Sequence, residues 1–397
     1  MGEQNVLIVG GGVGAQRLAG QLRQYGHAGP ITVIGAERHL PYDRPPLSKD
    51  VLRGERDSTT FHDVDERGVT WVLGTRAVAL DPATRSVKTE DGRGYAYDVL
   101  VLAPGGRPRT IPGLEAGRGI HVLRTIDDAL SLRDALRATG RLIVVGAGFI
   151  GCEIAASARQ LDVQVDLIES LPAPLARVLG LRAAAEVATM HESHGVRLHT
   201  GASVSRVLRS PDGGVRGVRL ADGAEIEGTH IVTGIGIVPD TEWLDGSGVE
   251  LGDGIVCDDA GRTSVPGVYA LGDAAQWWHE LADGHRRLEH WTSTADQAGV
   301  VAEAIAGEPG APPAALSNAP YFWSDQYDVK IQGIGFIDAG ERVDQLVVRD
   351  RTVLLYSRDG IVRAVVGFST PAAVMRTKPL IERRAPVAEA VKLLSPG

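Results

Sequence analysis

Two glycine-rich turns of one design constrain this sequence more than any other feature. The first is Gly10-Gly11-Gly12-Val13-Gly14-Ala15, preceded by the apolar run 6–9 and followed by a second apolar run, 31–34, that Glu37 closes. The second is Gly146-Ala147-Gly148-Phe149-Ile150-Gly151, preceded by the run 142–145 and followed by 163–168, with Glu169 at its end. Each fits the Gly-x-Gly-x-x-Gly/Ala turn of a dinucleotide-binding βαβ unit, with an acid about 20 residues on to accept from a ribose hydroxyl. The first glycine permits the tight turn. The second lets a pyrophosphate approach the backbone, and the third lets helix and strand pack closely. The free N–H groups and positive dipole end of the following helix then face the phosphates. One such turn is weak evidence, because glycines also end strands for structural reasons; two complete copies, each with its acid, predict two dinucleotide sites.

With 397 residues there is room for two or three domains. The order of apolar runs predicts an α/β fold of two Rossmann-like dinucleotide-binding domains, one inserted in the other, plus a C-terminal α+β domain. The first domain comprises 1–108 and 236–308, the second 109–235, and the last 316–397. Gly307-Glu308-Pro309-Gly310-Ala311-Pro312-Pro313 reads as the linker to the last. Within that domain strands are expected at 331–335, 343–349, 353–357 and 361–368, ahead of two helical pieces.

Net charge is −9, which argues against a nucleic-acid binder relying on counterion release. A strand begins within five residues of Met1, and neither a targeting peptide nor a bilayer-length apolar run is present, so a cytoplasmic protein is expected. The two cysteines, Cys152 and Cys257, are far apart and form no C-x-x-C pair, which speaks against a disulfide framework or a zinc site. Cys152 is expected to pack in the helix after the second glycine turn. His191 and His194 share helical i, i+3 spacing without a third ligand in sequence reach, and read as a solvated helix face rather than a metal site. No metal is expected. Trp277-Trp278-His279 reads as a packing cluster in preference to a partner-facing aromatic anchor.

With these residues in hand the chain resembles the FAD-dependent NADH:ferredoxin reductases that serve Rieske oxygenases and haem-thiolate monooxygenases. The likeness covers essentially the whole chain. Beyond the two turns it rests on Arg44-Pro45-Pro46-Leu47-Ser48-Lys49, Leu123-Arg124-Thr125, Gly234-Ile235-Gly236-Ile237-Val238-Pro239, Tyr269-Ala270-Leu271-Gly272-Asp273, Glu289-His290-Trp291 and Tyr321-Phe322-Trp323-Ser324-Asp325-Gln326-Tyr327-Asp328. The resemblance implies that Gly10, Gly12, Gly14 and Ala15 hold the FAD pyrophosphate and Glu37 its ribose. Arg44, Lys49, Arg124, Asp273 and Trp291 would meet the rest of the cofactor, with Val78 a further FAD contact. Gly146, Gly148, Ile150 and Gly151 would bind NADH, with Glu169 on its ribose and Gly236 near the nicotinamide. Lys49 and Glu153 would form the catalytic pair beside flavin and nicotinamide.

Each role competes with a plainer one. Lys49 is one of five lysines in the chain, and a lysine is ordinarily a solvated side chain. Glu153 gains from the dipole of the helix it opens. Thr125 to Asp128 fits a capping box, which makes part of the Arg124 motif a helix start. Gly272-Asp273 reads otherwise as a turn, and Trp291 as core. Where the family has Ala-Thr-Gly, this chain has Ala103-Pro104-Gly105, and proline offers neither hydroxyl nor backbone donor.

The implied reaction is hydride transfer from NADH to FAD, then single-electron transfers to a 2Fe–2S ferredoxin. Glu169 favours NADH, because its carboxylate repels a 2′-phosphate, and residues 170–176 contain no Arg or Lys to offset it. An acidic ferredoxin calls for a basic patch, for which Arg376, Lys378, Arg383 and Arg384 are candidates. Two alternatives share the nucleotide domains. An NADH oxidase or peroxidase usually carries a redox cysteine after the first proline-rich segment, and positions 38–60 hold none. A redox signalling protein like apoptosis-inducing factor is disfavoured by the acidic charge, the lack of a targeting segment and the compact linker. Monomer and weak dimer are both compatible with these residues.

Overall fold

The computed structural model describes residues 4–61, 68–307 and 315–395. Its internal contacts divide the chain into two compact units. The first comprises Met1–Asp43, Thr60–Arg107 and Val238–Tyr321; the second comprises Arg44–Thr59, Pro108–Ile237 and Phe322–Gly397. The 307–313 linker, apart from Gly307, lies outside the described residues, as does the end of the chain at 396–397.

In the first unit a five-stranded parallel sheet runs in the order Val268–Ala270, Val99–Leu102, Val6–Val9, Ile31–Ile34, Val69–Val72. The strands at 6–9 and 99–102 are Val, Leu and Ile throughout and buried throughout, the composition of parallel strands covered on both faces. Val6 pairs with Ile31 on one side and with Val99 on the other, which makes 6–9 the central strand. The helix Val13–Gln24 buries Ala15, Leu18, Ala19 and Leu22 against this core, an i, i+3, i+4, i+7 stripe. An antiparallel three-stranded sheet, Ala77–Asp81, Ser86–Thr89 and Gly94–Ala96, and a four-stranded one around Ala275–His279 complete the unit. The second sheet buries Cys257 and Trp277, whose indole N–H donates to the Ala270 carbonyl at 3.0 Å. His279 is buried too, whereas Trp278 is 40% exposed, so the aromatic cluster is only in part a packing element.

The second unit repeats the plan with the order Arg197–Thr200, Gln164–Glu169, Arg141–Val145, His230–Thr233, Ile120–Val122, all parallel. Its C-terminal part is an antiparallel five-stranded sheet, Tyr321–Gln326, Val329–Gly335, Ile361–Phe368, Arg351–Arg358, Arg342–Val348, followed by the helices Pro371–Glu382 and Val387–Leu394. Leu354, Tyr356 and Val366 of this sheet share one hydrophobic core with Val144, Ala155, Leu167 and Leu179. The sequence expectation lacked the edge strand Tyr321–Gln326. Its inward positions are Phe322, Ser324 and Gln326, and two polar residues on the buried face mask the apolar alternation by which a strand is read. Among the described residues no helix is long and apolar enough to cross a membrane.

Candidate functional site

The first glycine turn leaves the central strand at its carboxyl end, the edge of a parallel sheet where ligands are bound. Gly10 has φ +115°, and a Cβ there would stand 1.9 Å from the Ala103 carbonyl oxygen, so only glycine lets the chain pass. Gly12 is the N-cap of Val13–Gln24, with no side-chain cap and no acid in the first turn. A Cβ on Gly12 would meet nothing within 4 Å. Gly14 packs against Leu271 and Ala15 is buried in the core. The turn is therefore a cradle with its rear closed by packing, its front open, and the N–H groups of a 12-residue helix pointing out of it. That arrangement fits a pyrophosphate. Glu37 follows the neighbouring strand and accepts from the Tyr42 hydroxyl at 2.5 Å, an orienting contact that the motif alone did not disclose.

The other candidates of this unit lie on separate elements. Asp273 lies in the short 3₁₀ turn Gly272–Ala274, whose Gly272 N–H donates to Gln297 at 2.8 Å. Trp291 begins the helix Trp291–Ala306, and the Arg17 guanidinium stands 4.9 Å over its ring. Val78 sits at a bulge in its strand and is 42% exposed.

In the second unit Gly146 has φ +98° and a Cβ there would fall 2.5 Å from the Gly234 carbonyl oxygen. A Cβ on Gly151 would fall 1.9 Å from the Gly146 carbonyl oxygen. Gly148 is the uncapped N-cap of Phe149–Gln160, and Ile150 in its first turn is 42% exposed. Glu169 is held in place by the turn it serves. It accepts from the Ala147 N–H at 2.8 Å, the Leu171 N–H at 2.9 Å and the Ser170 hydroxyl at 3.1 Å. Gly236 has φ +94°, and the Arg177 guanidinium is 4.0 Å from where its Cβ would stand. Cys152 is fully buried and its thiol lies 3.5 Å from the Ala147 carbonyl. Burial pushes both cysteine thiols far up, which keeps them protonated and unreactive.

Lys49 and Glu153 come together in this unit. The ammonium is 2.7 Å from Glu153 Oε2 and also donates to the Pro45 carbonyl at 3.0 Å. The Ser48 hydroxyl donates to Oε2 at 2.5 Å and the Ser324 hydroxyl to Oε1 at 2.6 Å. Ser157 in turn donates to the Ser48 carbonyl at 2.6 Å. With 4% of its surface exposed, the Glu153 carboxyl group has three donors around it in place of water. Sequence reasoning paired Lys49 with Glu153 but assigned nothing to Ser48, Ser157 or Ser324, because hydroxyls carry no spacing signature. Arg44 donates to the Arg124 carbonyl, and Arg124 and Thr125 donate their N–H groups to Asp128 at 3.0 and 2.8 Å. The expected capping box is present, so helix initiation accounts for part of the Arg124 motif.

The reading of His191 as solvated is overturned. His191 has no exposed surface; its Nε2 lies 2.9 Å from Gln326 Oε1 and its Nδ1 3.0 Å from the Tyr327 hydroxyl. His194 stacks on Tyr327 with ring centroids 3.6 Å apart. The edge strand missed in the sequence supplies these partners, and that is why the spacing alone misled. Burial lowers the His191 pKa from 6.5 to about 4. A histidine held neutral in the fold contributes stability that is complete above its unfolded pKa and is lost as pH falls towards the folded one. Unfolding free energy should therefore drop by about 2–3 kcal/mol from this group between pH 7 and 4.5. Denaturant titrations across that range check it, and His191→Gln should flatten the slope. Of the four candidate docking cations, Lys378 pairs with Glu382 and Arg383 with Glu389, while Arg376 donates to the Leu393 carbonyl, so two of the four charges are matched by carboxylates.

Residues 4–298 match the family described as pyridine nucleotide-disulphide oxidoreductase, and residues 321–393 match the reductase C-terminal family. The chain is 37% identical to the 5,5'-dehydrodivanillate O-demethylase ferredoxin reductase subunit of a Sphingobium species, covering 98% of this chain and 94% of that one. It is 32% identical to a putidaredoxin reductase of Pseudomonas putida, covering 96% and 93%. The solved covalent putidaredoxin reductase–putidaredoxin complex superposes with a TM-score of 0.93 at 30% identity, over 98% of this chain and 99% of that one. Two glycine cradles, two parallel sheets and a C-terminal antiparallel sheet in one chain thus have a known counterpart, and the protein belongs to the pyridine nucleotide-disulphide oxidoreductase family, in its ferredoxin reductase branch.

Proposed function

We propose that this protein oxidises NADH on a bound FAD and passes the electrons singly to a 2Fe–2S ferredoxin that feeds a monooxygenase or Rieske dioxygenase. The observation that carries the reading is the pairing of two open glycine cradles with two inert thiols. Two dinucleotides call for a flavin and a nicotinamide, and no cysteine is available to take the electrons onward as a dithiol. Bound FAD supplies the conversion between two-electron and one-electron chemistry.

We assign 1–108 and 236–308 to FAD binding, 109–235 to NADH binding and 316–397 to the C-terminal domain. Gly10, Gly12, Gly14 and Ala15 hold the FAD pyrophosphate at a helix N-terminus, and Glu37, steadied by Tyr42, accepts from its ribose. Arg44, Arg124, Asp273 and Trp291 meet the remainder of the cofactor, and Val78 offers it apolar surface. Gly146, Gly148 and Gly151 admit the NADH pyrophosphate, Ile150 covers it, and Gly236 lines the nicotinamide end. Glu169 accepts from the ribose of NADH. Its three fixed donors prevent it from swinging aside for a 2′-phosphate. Lys49 and Glu153 hold a fixed charge pair at the reacting end and orient the nicotinamide. The cytoplasm, with its reducing thiol pool, suits a chain whose two cysteines are unpaired.

Purified protein should consume NADH at a rate strongly dependent on added ferredoxin, and with higher kcat/KM than for NADPH. Rapid unaided reduction of oxygen or peroxide would replace this reading with the oxidase, and sluggish turnover with every acceptor would favour a binding role.

A further inference from the structure

A line of buried polar side chains runs away from the Glu153 carboxylate, and the direction of every hydrogen bond in it is determined by that end. Glu153, paired with an ammonium at 2.7 Å, only accepts. Ser324 has one proton and delivers it to Oε1. Its lone pairs therefore receive, and the group facing them at 3.0 Å must be the amide nitrogen of Gln326. The Gln326 carbonyl is then turned towards His191, so His191 carries its proton on Nε2. Nδ1 of a neutral imidazole is left to accept, and the Tyr327 hydroxyl donates to it. Tyr327, His191, Gln326, Ser324 and Glu153 thus form a single file of donors pointing one way. Ser324, Gln326 and His191 have no exposed surface, and His194 clamps the outer end by stacking on Tyr327.

We propose that Ser324, Gln326 and His191 are positioning residues for Glu153: their one-way array fixes the rotamer and plane of its carboxylate, so that Oε2 is always presented to Lys49 and Ser48. The proposal rests on the functional reading above and adds to it a link between the C-terminal sheet, the helix Ala176–Ser193 and the charge pair. Plain hydrogen-bond satisfaction explains why each polar group has a partner. Once Glu153 is the acceptor it also sets their direction, and the consequence is that donors from two separate elements are aligned on one carboxylate. In such a chain each bond polarises the next, and a break at the far end is felt at the carboxylate. The neutral state of His191 keeps the direction from reversing. The ionisable groups around the array are Lys49, Cys152, Glu169, Arg159, His194 and Tyr327.

Two measurements test it. In the wild-type protein, nitrogen-15 NMR should find His191 as the neutral Nε2–H tautomer down to pH 5; the Nδ1–H tautomer would overturn the array. In stopped-flow anaerobic mixing with NADH, Ser324→Ala and His191→Leu should slow flavin bleaching about tenfold with NADH affinity unchanged, while His191→Gln, which keeps a donor near the Nε2 position, restores most of the rate. Variants that lose only thermal stability and bleach at the wild-type rate would overturn the positioning role alone. Absence of bleaching in the wild type would overturn the functional reading, and the positioning role along with it.

Discussion

Replacement of Lys49 by methionine is expected to slow NADH-driven flavin reduction about 100-fold, in the range lost when a fixed charge or donor is removed from a reacting centre. It should also destabilise the fold by about 3–5 kcal/mol, because Glu153 would remain buried with its charge uncompensated. The two effects separate in a second variant. Lys49→Met combined with Glu153→Gln removes both charges and leaves Ser48 and Ser324 an acceptor, so most of the stability should return. The rate should not return, since neither residue of the pair is left to orient the nicotinamide. Stopped-flow reduction and denaturant unfolding, run on the same four proteins of the cycle, read the two effects independently. A double variant that recovers the rate as well as the stability would show the pair to be a structural contact only.

The second large effect is at the first glycine turn, where two neighbouring glycines should fail differently. Gly10→Ala drives a methyl group to 1.9 Å from the Ala103 carbonyl oxygen and forces a side chain into φ +115°. The backbone strain alone costs about 1–3 kcal/mol, and the steric clash adds to it. The expected product is poorly folded and colourless. Gly12→Ala is different, because its methyl would enter space with no protein atom within 4 Å. Its fold should melt within a few degrees of the wild type, corresponding to a change of about 1 kcal/mol or less at an N-cap. Yet it too should purify without the visible absorbance of FAD, since the methyl would occupy the space proposed for the pyrophosphate. Absorbance spectra and melting curves of the two variants distinguish a turn that glycine serves for folding from one it serves for binding. A yellow Gly12→Ala protein would mean that the pyrophosphate lies elsewhere.

Most of the backbone was legible because its signals are local. The runs at 6–9, 31–34 and 99–102 are rich in Val, Ile and Leu, and they became the buried parallel strands that such runs describe. The Thr125–Asp128 capping box was readable for the same reason: both partners lie within one helical turn. What failed was non-local. Ser324 and Gln326 look like surface polar residues, and only their pairing with Glu153 and His191, far away in sequence, makes their burial tolerable. Their strand and the true environment of His191 were missed together because they are one fact. The four C-terminal cations read as a patch by spacing, whereas the fold pairs two of them with Glu382 and Glu389.

The sequence by itself determined that two glycine turns of one design exist and that an acid closes the strand after each, because a turn that needs positive φ and no Cβ leaves its glycines in view. It also determined that no dithiol relay is present. The tertiary structure decided what surrounds the Lys49–Glu153 charge pair. A carboxylate inside a protein is stable only when donors from several chain segments converge on it, and that convergence is a property of packing that no spacing in the chain encodes.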